Sequence, residues 1–164
     1  MPRRLRERLV RFAYACTRTL NRVRRPVTLG VRALVVTADS AVLLVRHRYL
    51  SGLYLPGGRV ARQESTLDAL RRELHEETGL VLDGSETLAV HGVFFSELEG
   101  KRDHIVVYTV RIAAARLQAL AGTPSLEVAE VVVARLDALP ADLSPATRRR
   151  LLAFAAGNGE TGLW

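Results

Sequence analysis

Cysteine occurs once in this chain of 164 residues, at Cys16. A single thiol excludes an intrachain disulfide and suits a reducing compartment, so the expected location is cytoplasmic. The chain also lacks any apolar run near the ~20 residues that span a bilayer. A secretory leader is not expected either, because the longest apolar run near the start, residues 12–16, is far too short. Serine is missing from residues 1–25, which argues against reading that arginine-rich stretch as a mitochondrial transit peptide. Lysine is almost absent, with 23 of the 24 basic residues being arginine. There is no internal repeat and no low-complexity segment.

What is present is arginine, and it is unevenly placed. The net charge is +7, but residues 1–25 hold nine Arg and one Glu, a balance of +8. Residues 26–164 hold 15 basic and 16 acidic side chains, a balance of −1. The basicity therefore belongs to an arm and not to the domain behind it. Within the arm, Leu5, Leu9, Phe12, Cys16, Leu20 and Val23 follow three-to-four spacing with Arg on the other sides, the pattern of a basic amphipathic helix. Such a helix packs its stripe on its own domain or a second subunit, lies on an anionic membrane surface, or contacts RNA or an acidic partner. Peripheral membrane association is thus an alternative to a freely cytoplasmic chain. The near-neutral domain argues against broad nucleic-acid affinity without the arm.

From residue 26 onward the length and the 48% hydrophobic content suit one globular domain with its own core. Residues 27–37 and 41–45 read as a hairpin about Ala38-Asp39-Ser40, and their near-continuous apolar character predicts a sheet covered on both faces. Residues 46–58 read as a loop. Later strands are expected over 86–95, 104–112 and 128–136, with an acidic hairpin loop over 96–103. Ser144-Pro145 opens a last helix over 146–156, and residues 157–164 read as a flexible tail. His91 and His104 are lone histidines at strand positions, best explained by structural roles. The fold class is α+β, with a mixed sheet between helices.

The organising stretch is residues 58–80. Leu67, Leu70 and Leu74 form a helical stripe. Ser65 with Asp68 resembles a capping box, and Gly79 ends the helix in a left-handed conformation. Glu73, Glu76 and Glu77 fall at i, i+3 and i+4, on a face expected roughly opposite the stripe. Arg72 relieves part of their mutual repulsion. A hard divalent cation, which takes oxygen ligands, would relieve more. On these residues alone, a solvated charged face is an equal alternative.

The wider spacing resembles the box of the Nudix hydrolases. Gly58, Glu64, Arg72, Glu73, Leu74, Glu76, Glu77, Gly79 and Leu80 match its fixed positions, and the box covers 23 of 164 residues. The resemblance implies an α/β/α sandwich over 26–156 with a mixed sheet, the box forming a loop-helix-loop. It implies Mg²⁺-dependent (alternatively Mn²⁺-dependent) hydrolysis of a pyrophosphate bond, water attacking phosphorus in a nucleoside diphosphate linked to a second moiety X. The family's metal ligands map to Glu73, Glu77 and the Gly58 carbonyl, with Glu76 ligating or holding a water. Glu64 supports the site from the loop, and Arg72 orients carboxylates by bidentate pairing.

The general base in many members is a carboxylate in a later loop. Here Glu127 is the first choice and Glu130 the second, followed by Glu97, Glu99 and Asp103. In other members a box glutamate serves, which maps to Glu76 or Glu73. Arg46, Arg48, Tyr54 and Arg59 are substrate-binding candidates, and His47 sits among them. Leu53, Ala61 and Gln63 depart from common family residues without touching a fixed position. Phe94 and Phe95 stand where a proline often accompanies ADP-ribose hydrolysis. Many members are dimers. A binding protein or regulator on the same fold is the alternative to an enzyme, and recruitment to RNA 5′ ends or a membrane through the arm is a third reading.

Overall fold

The computed structural model describes residues 12, 16, 27–97, 102–122, 124–158 and 161–164. The arm proposed for residues 1–25, apart from Phe12 and Cys16, lies outside the described residues, as does Glu99. Phe12 and Cys16 are helical and exposed.

Ten residues of β-branched and apolar character form β1 (Val27–Val36), and a tight turn leads to β2 (Ala41–His47). The turn closes through Thr37 N–H to Ala41 O at 3.0 Å, with Ser40 at φ 63°. Helix α1 (Thr66–Thr78) follows, then β3 (Thr87–Ser96) and β4 (Arg102–Arg111). The short α2 (Ala114–Gln118) is not marked by any sequence signal used above. Next come β5 (Val128–Arg135), α3 (Pro145–Ala155) and the two-residue β6 (Gly162–Leu163). The described part of the C-terminal stretch is thus not loose. Gly162 and Leu163 pair parallel with Phe94 and Phe95, and Trp164 donates its N–H to Phe95 O at 2.8 Å.

The six strands form one mixed sheet in the order β5-β2-β1-β4-β3-β6. β1 runs parallel to β4 over its full length, and the β1–β2, β2–β5 and β3–β4 pairs are antiparallel. Alternation along β1 divides the interior into two layers. Val31, Ala33 and Val35 face α1, where Leu70 and Leu74 pack on them. Leu34 and Val36 face the other way, onto a layer that includes Leu53, Leu55, Phe94 and Leu151 of α3. This is the expected sandwich with the sheet in the middle.

One irregularity positions the site. β1 and β2 share a single register pair, Val36 with Val42, and then diverge. Residues 53–58 enter the gap. Ala33 N–H bonds to Pro56 O at 2.8 Å, Val31 N–H to Gly58 O at 2.9 Å, and Tyr54 exchanges both backbone bonds with Val45. The sheet is wedged open, and the box begins in the wedge. A groove of about 580 Å³ at the far end of the sheet, around Thr37, Arg111 and Phe154, shares no residue with the box.

Candidate metal and phosphate site

Helix α1 starts and stops as its sequence dictates. Ser65 caps it, its Oγ accepting from Asp68 N–H at 3.1 Å, and Gly79 ends it at φ 76° with its N–H on His75 O. Between these ends the structure corrects one expectation. Glu73 and Glu77 do not lie opposite the leucine stripe; their side chains are only 14% and 8% exposed, against 57% for Glu76. Glu77 is one heptad beyond Leu70, a drift of about 20° around the helix, so it is inside the stripe. Leu70, Glu73, Leu74 and Glu77 form one inward face of i, i+3, i+4 and i+7 spacing. The apolar part of that face seats the helix on the sheet, and its last turn carries the carboxylates into the wedge.

Two glycines receive them. Gly57, at φ 134°, donates its N–H to Glu77 Oε2 at 2.7 Å. Gly58 lies so close to Glu73 that a Cβ on it would stand 2.3 Å from Glu73 Oε1. Only glycine leaves room for that carboxylate. The Gly58 carbonyl accepts from Val31 N–H and retains a second lone pair.

Arg72 is the hub of the exposed side. Its Nε and Nη2 grip Glu64 at 2.9 and 3.1 Å, its Nη1 reaches Glu73 Oε1 at 2.7 Å and Glu76 Oε2 at 3.2 Å, and its Nη2 also bonds the Arg59 carbonyl at 3.0 Å. This fork holds Glu64 down to about 2, helped by the Ala61 N–H. Glu73 feels the same arginine, but burial outweighs it and pushes the carboxyl above its usual range. Glu77 is pushed up to about 7, again by burial first, against the pull of the Gly57 N–H and of the Arg32 charge. His47 lies 3.7 Å from Glu77 through Nε2. Burial and the Arg32 charge take its imidazole down to about 4. The approach has the span of an ion pair, but both groups are buried and desolvation drives each toward its neutral form. Neutral imidazole beside a protonatable carboxyl is the state that burial dictates.

The other candidates fall into two groups. Glu127 is exposed and accepts from Tyr49 Oη at 3.2 Å, Tyr49 stacks at 5.3 Å on His47, and the Glu127 charge is felt by Glu77. Tyr54 lies 5.7 Å from His47 and donates its hydroxyl to Ser51 O. Arg48 donates to Ser125 O at 3.3 Å, beside Glu127, and Arg59 is exposed at the start of the box. Arg46 and Glu130 are drawn elsewhere. Both are strand residues in register, Arg46 binds Glu130 at 3.3 Å and Asp142 at 2.7 Å, and this pairing holds them to each other. Glu97 is exposed beyond the end of β3, and Asp103 lies within β4. His91 and His104 are placed by ring contacts with Phe94 and Phe154, and with Phe95. The pattern of site residues does not single out Arg32. Its signal is a lone charge in the apolar run of β1.

Buried carboxylate oxygens beside a glycine cradle and a free carbonyl lone pair make an oxygen-donor set suited to a hard divalent cation. Among the described residues no three His, Cys, Asp or Glu side chains converge at ligand spacing. Arg72 and the Gly57 N–H hold the carboxylates instead, and each leaves oxygens to spare. The inward carboxylates, the glycine cradle and the arginine clamp lie together at one place in the fold.

The comparisons give the family. The NUDIX domain model matches residues 26–154, and the chain belongs to that family. A probable DHNTP pyrophosphohydrolase of Lactococcus lactis subsp. cremoris (strain MG1363) is 45% identical over 51 residues, which is 31% of this chain and 30% of that protein. A MutT protein of Methanosarcina mazei Go1 superposes with a TM-score of 0.64 at 24% identity, over 81% of this chain and 95% of that one. A MutT NUDIX hydrolase of Burkholderia pseudomallei gives 0.59 at 27% identity, over 77% and 96%. Among the described residues, no helix is long and apolar enough to cross a membrane.

Proposed function

We propose that the chain hydrolyses a pyrophosphate bond in a small nucleotide, a nucleoside diphosphate linked to a moiety X. The observation that carries this reading is the inward pair Glu73 and Glu77 on α1, seated at Gly57 and Gly58 with every fixed box residue in place. Glu73, Glu77 and the Gly58 carbonyl would hold the cation, Mg²⁺ or Mn²⁺, with Glu76 as a further ligand. The cation supplies charge neutralisation at the phosphates and an acidified water. The protein's own residues do the rest. Arg72 fixes Glu64, Glu73 and Glu76 in one arrangement. Glu127 is the general base, since it sits by Tyr49 on the His47–Glu77 side, whereas Glu130 is engaged by Arg46. Tyr54, Arg48 and Arg59 bound the space where the substrate lies.

The names of the relatives do not converge on one X. One is described as acting on DHNTP, and a fold neighbour at 20% identity is a UDP-X diphosphatase. The test is product release from a panel of nucleoside triphosphates, nucleotide sugars, ADP-ribose, dinucleotides and 5′-triphosphate RNA with Mg²⁺. One substrate cleaved by the wild type and not by Glu77→Gln supports the hydrolase. Silence across the panel from folded, metal-loaded protein favours a binding role. We place the chain in the cytoplasm, with the arm of residues 1–25 as its means of reaching RNA, an anionic membrane, an acidic partner or a second copy.

A further inference from the structure

Arg32 is the only charged residue of β1 and stands between Val31 and Ala33, both fully buried under α1. Alternation turns its side chain to the other face of the sheet. A half-buried guanidinium there loses hydration and needs an anionic partner to recover it. It has none: among the described residues its side chain makes one hydrogen bond, Nη1 to Val31 O at 3.0 Å, and no ion pair. Neighbouring arginines are engaged. Arg72 holds three glutamates and Arg46 holds Glu130 and Asp142.

Its surroundings are those of the site. Gly57 packs directly on its backbone, such that a Cβ on Gly57 would come 3.0 Å from Arg32 Cα, and the same Gly57 holds Glu77 by its N–H. The guanidinium bonds Val31 O, the same carbonyl that a Cβ on Gly57 would meet at 2.3 Å, so its charge lies beside the glycine that holds Glu77. Glu73, Glu77 and His47 all feel Arg32. A cation that near to buried carboxylates, yet bound to none of them, is placed for a third party carrying negative charge.

We propose that Arg32 is the substrate-binding arginine of this site, its guanidinium taking oxygens of the bound pyrophosphate. This rests on the hydrolase reading above. Each phosphate of a nucleoside diphosphate linked to X keeps two non-bridging oxygens, so one phosphate can face the cation and the other Arg32. Planar, forked donors suit that geometry and an ammonium does not.

The test uses the full chain and imidodiphosphate, a non-hydrolysable pyrophosphate, titrated calorimetrically with Mg²⁺ present. Mn²⁺ binding without the analogue is followed in parallel by electron paramagnetic resonance. Arg32→Gln is expected to weaken imidodiphosphate binding by roughly 10- to 100-fold, the range for a hydrogen bond to a charged group. Its Mn²⁺ binding stays within about twofold of wild type, Arg32→Lys recovers only part of the loss, and Arg46→Gln has little effect. Should Arg32→Gln unfold, the comparison of Arg32→Lys with wild type carries the test. Unchanged analogue binding overturns the proposal, and so does a matching loss of Mn²⁺ binding, which would make Arg32 an electrostatic support for the glutamates. If the wild type cleaves a panel nucleotide while its variant binds the analogue normally, this proposal alone falls. If the wild type neither cleaves nor binds, the hydrolase reading falls with it.

Discussion

His47 and Glu77 should conceal each other's titration, and separating them should expose two opposite pH dependences. Burial moves Glu77 from 4.5 to about 7 and His47 from 6.5 to about 4. Each displacement corresponds to about 3 kcal/mol between the protonation states. Between pH 4.5 and 7 the unfolded chain has released the Glu77 proton and the folded chain keeps it, so this group makes stability fall as pH rises. Between pH 4 and 6.5 the unfolded chain binds a proton at His47 and the folded chain does not, so this group makes stability rise with pH. The windows overlap and the signs oppose. In the metal-free wild type the pair therefore contributes almost no slope.

Single substitutions remove the cancellation. In Glu77→Gln, stability relative to wild type should climb by about 2 kcal/mol from pH 5 to 7, because the falling term has gone. In His47→Gln it should drop by about 2 kcal/mol relative to wild type over pH 5 to 6.5, because the rising term has gone. Glu73 also sits above its usual range, but it is common to all three proteins and cancels in the differences. Urea unfolding in a chelator, read by circular dichroism at several pH values, measures this directly. Saturating Mg²⁺ should abolish the Glu77 term by holding the carboxylate ionised. If Glu77→Gln instead loses stability relative to wild type as pH rises, the two groups form a charged pair in the folded state and the desolvation argument is wrong.

Three further expectations concern the site. Gly58→Ala should lose metal binding and activity with a small change in melting temperature, because its Cβ meets the Glu73 carboxylate, whereas Gly57→Ala should destabilise the fold by several kcal/mol, because its Cβ meets the Val31 carbonyl at 2.3 Å and its φ is 134°; thermal melts and Mn²⁺ titration separate the two. Arg72→Lys should keep the charge yet lower turnover about tenfold or more, since an ammonium cannot make the paired bonds to Glu64 together with the bond to Glu73; recovery of normal kcat would reject the clamp. Glu127→Gln should slow turnover by roughly 10²-fold or more at unchanged Mn²⁺ affinity, while Glu130→Gln stays near wild type; the reverse order would move the base to Glu130.

Much of this was legible in the chain because it depends on local rules. The cap at Ser65, the stop at Gly79, the turn at residues 38–40 and the apolar strands each follow from a few neighbouring residues, and the structure has them where those residues lie. What was not legible depends on the wedge. β1 and β2 would read as one continuous hairpin, yet they part after a single register pair because residues 53–58 bond to both. No spacing within β1 or β2 encodes an insertion from a later segment. Nor does any local spacing encode the β2–β5 register, which sets Arg46 opposite Glu130 and gives it partners outside the site.

The placement of Glu77 shows how the two kinds of information meet. A charge pattern invites the view that glutamates on a helix belong together on its wet side, and for Glu76 that holds. For Glu73 and Glu77 the helical period says otherwise, since each shares the stripe with Leu70 and Leu74. Burying a carboxylate with no partner costs several kcal/mol, so such a stripe would be unfavourable against an intact sheet. It becomes tolerable where the sheet is open and a glycine N–H, an arginine and neutral imidazole line the gap. On the proposed ligand assignment, the same desolvation that raises Glu77 would make it gain most from a divalent cation, which would restore the charged form in a place water does not reach. The wedge is therefore both what the strands of this sheet concede in pairing and what lets an amphipathic helix carry two carboxylates on its inward face.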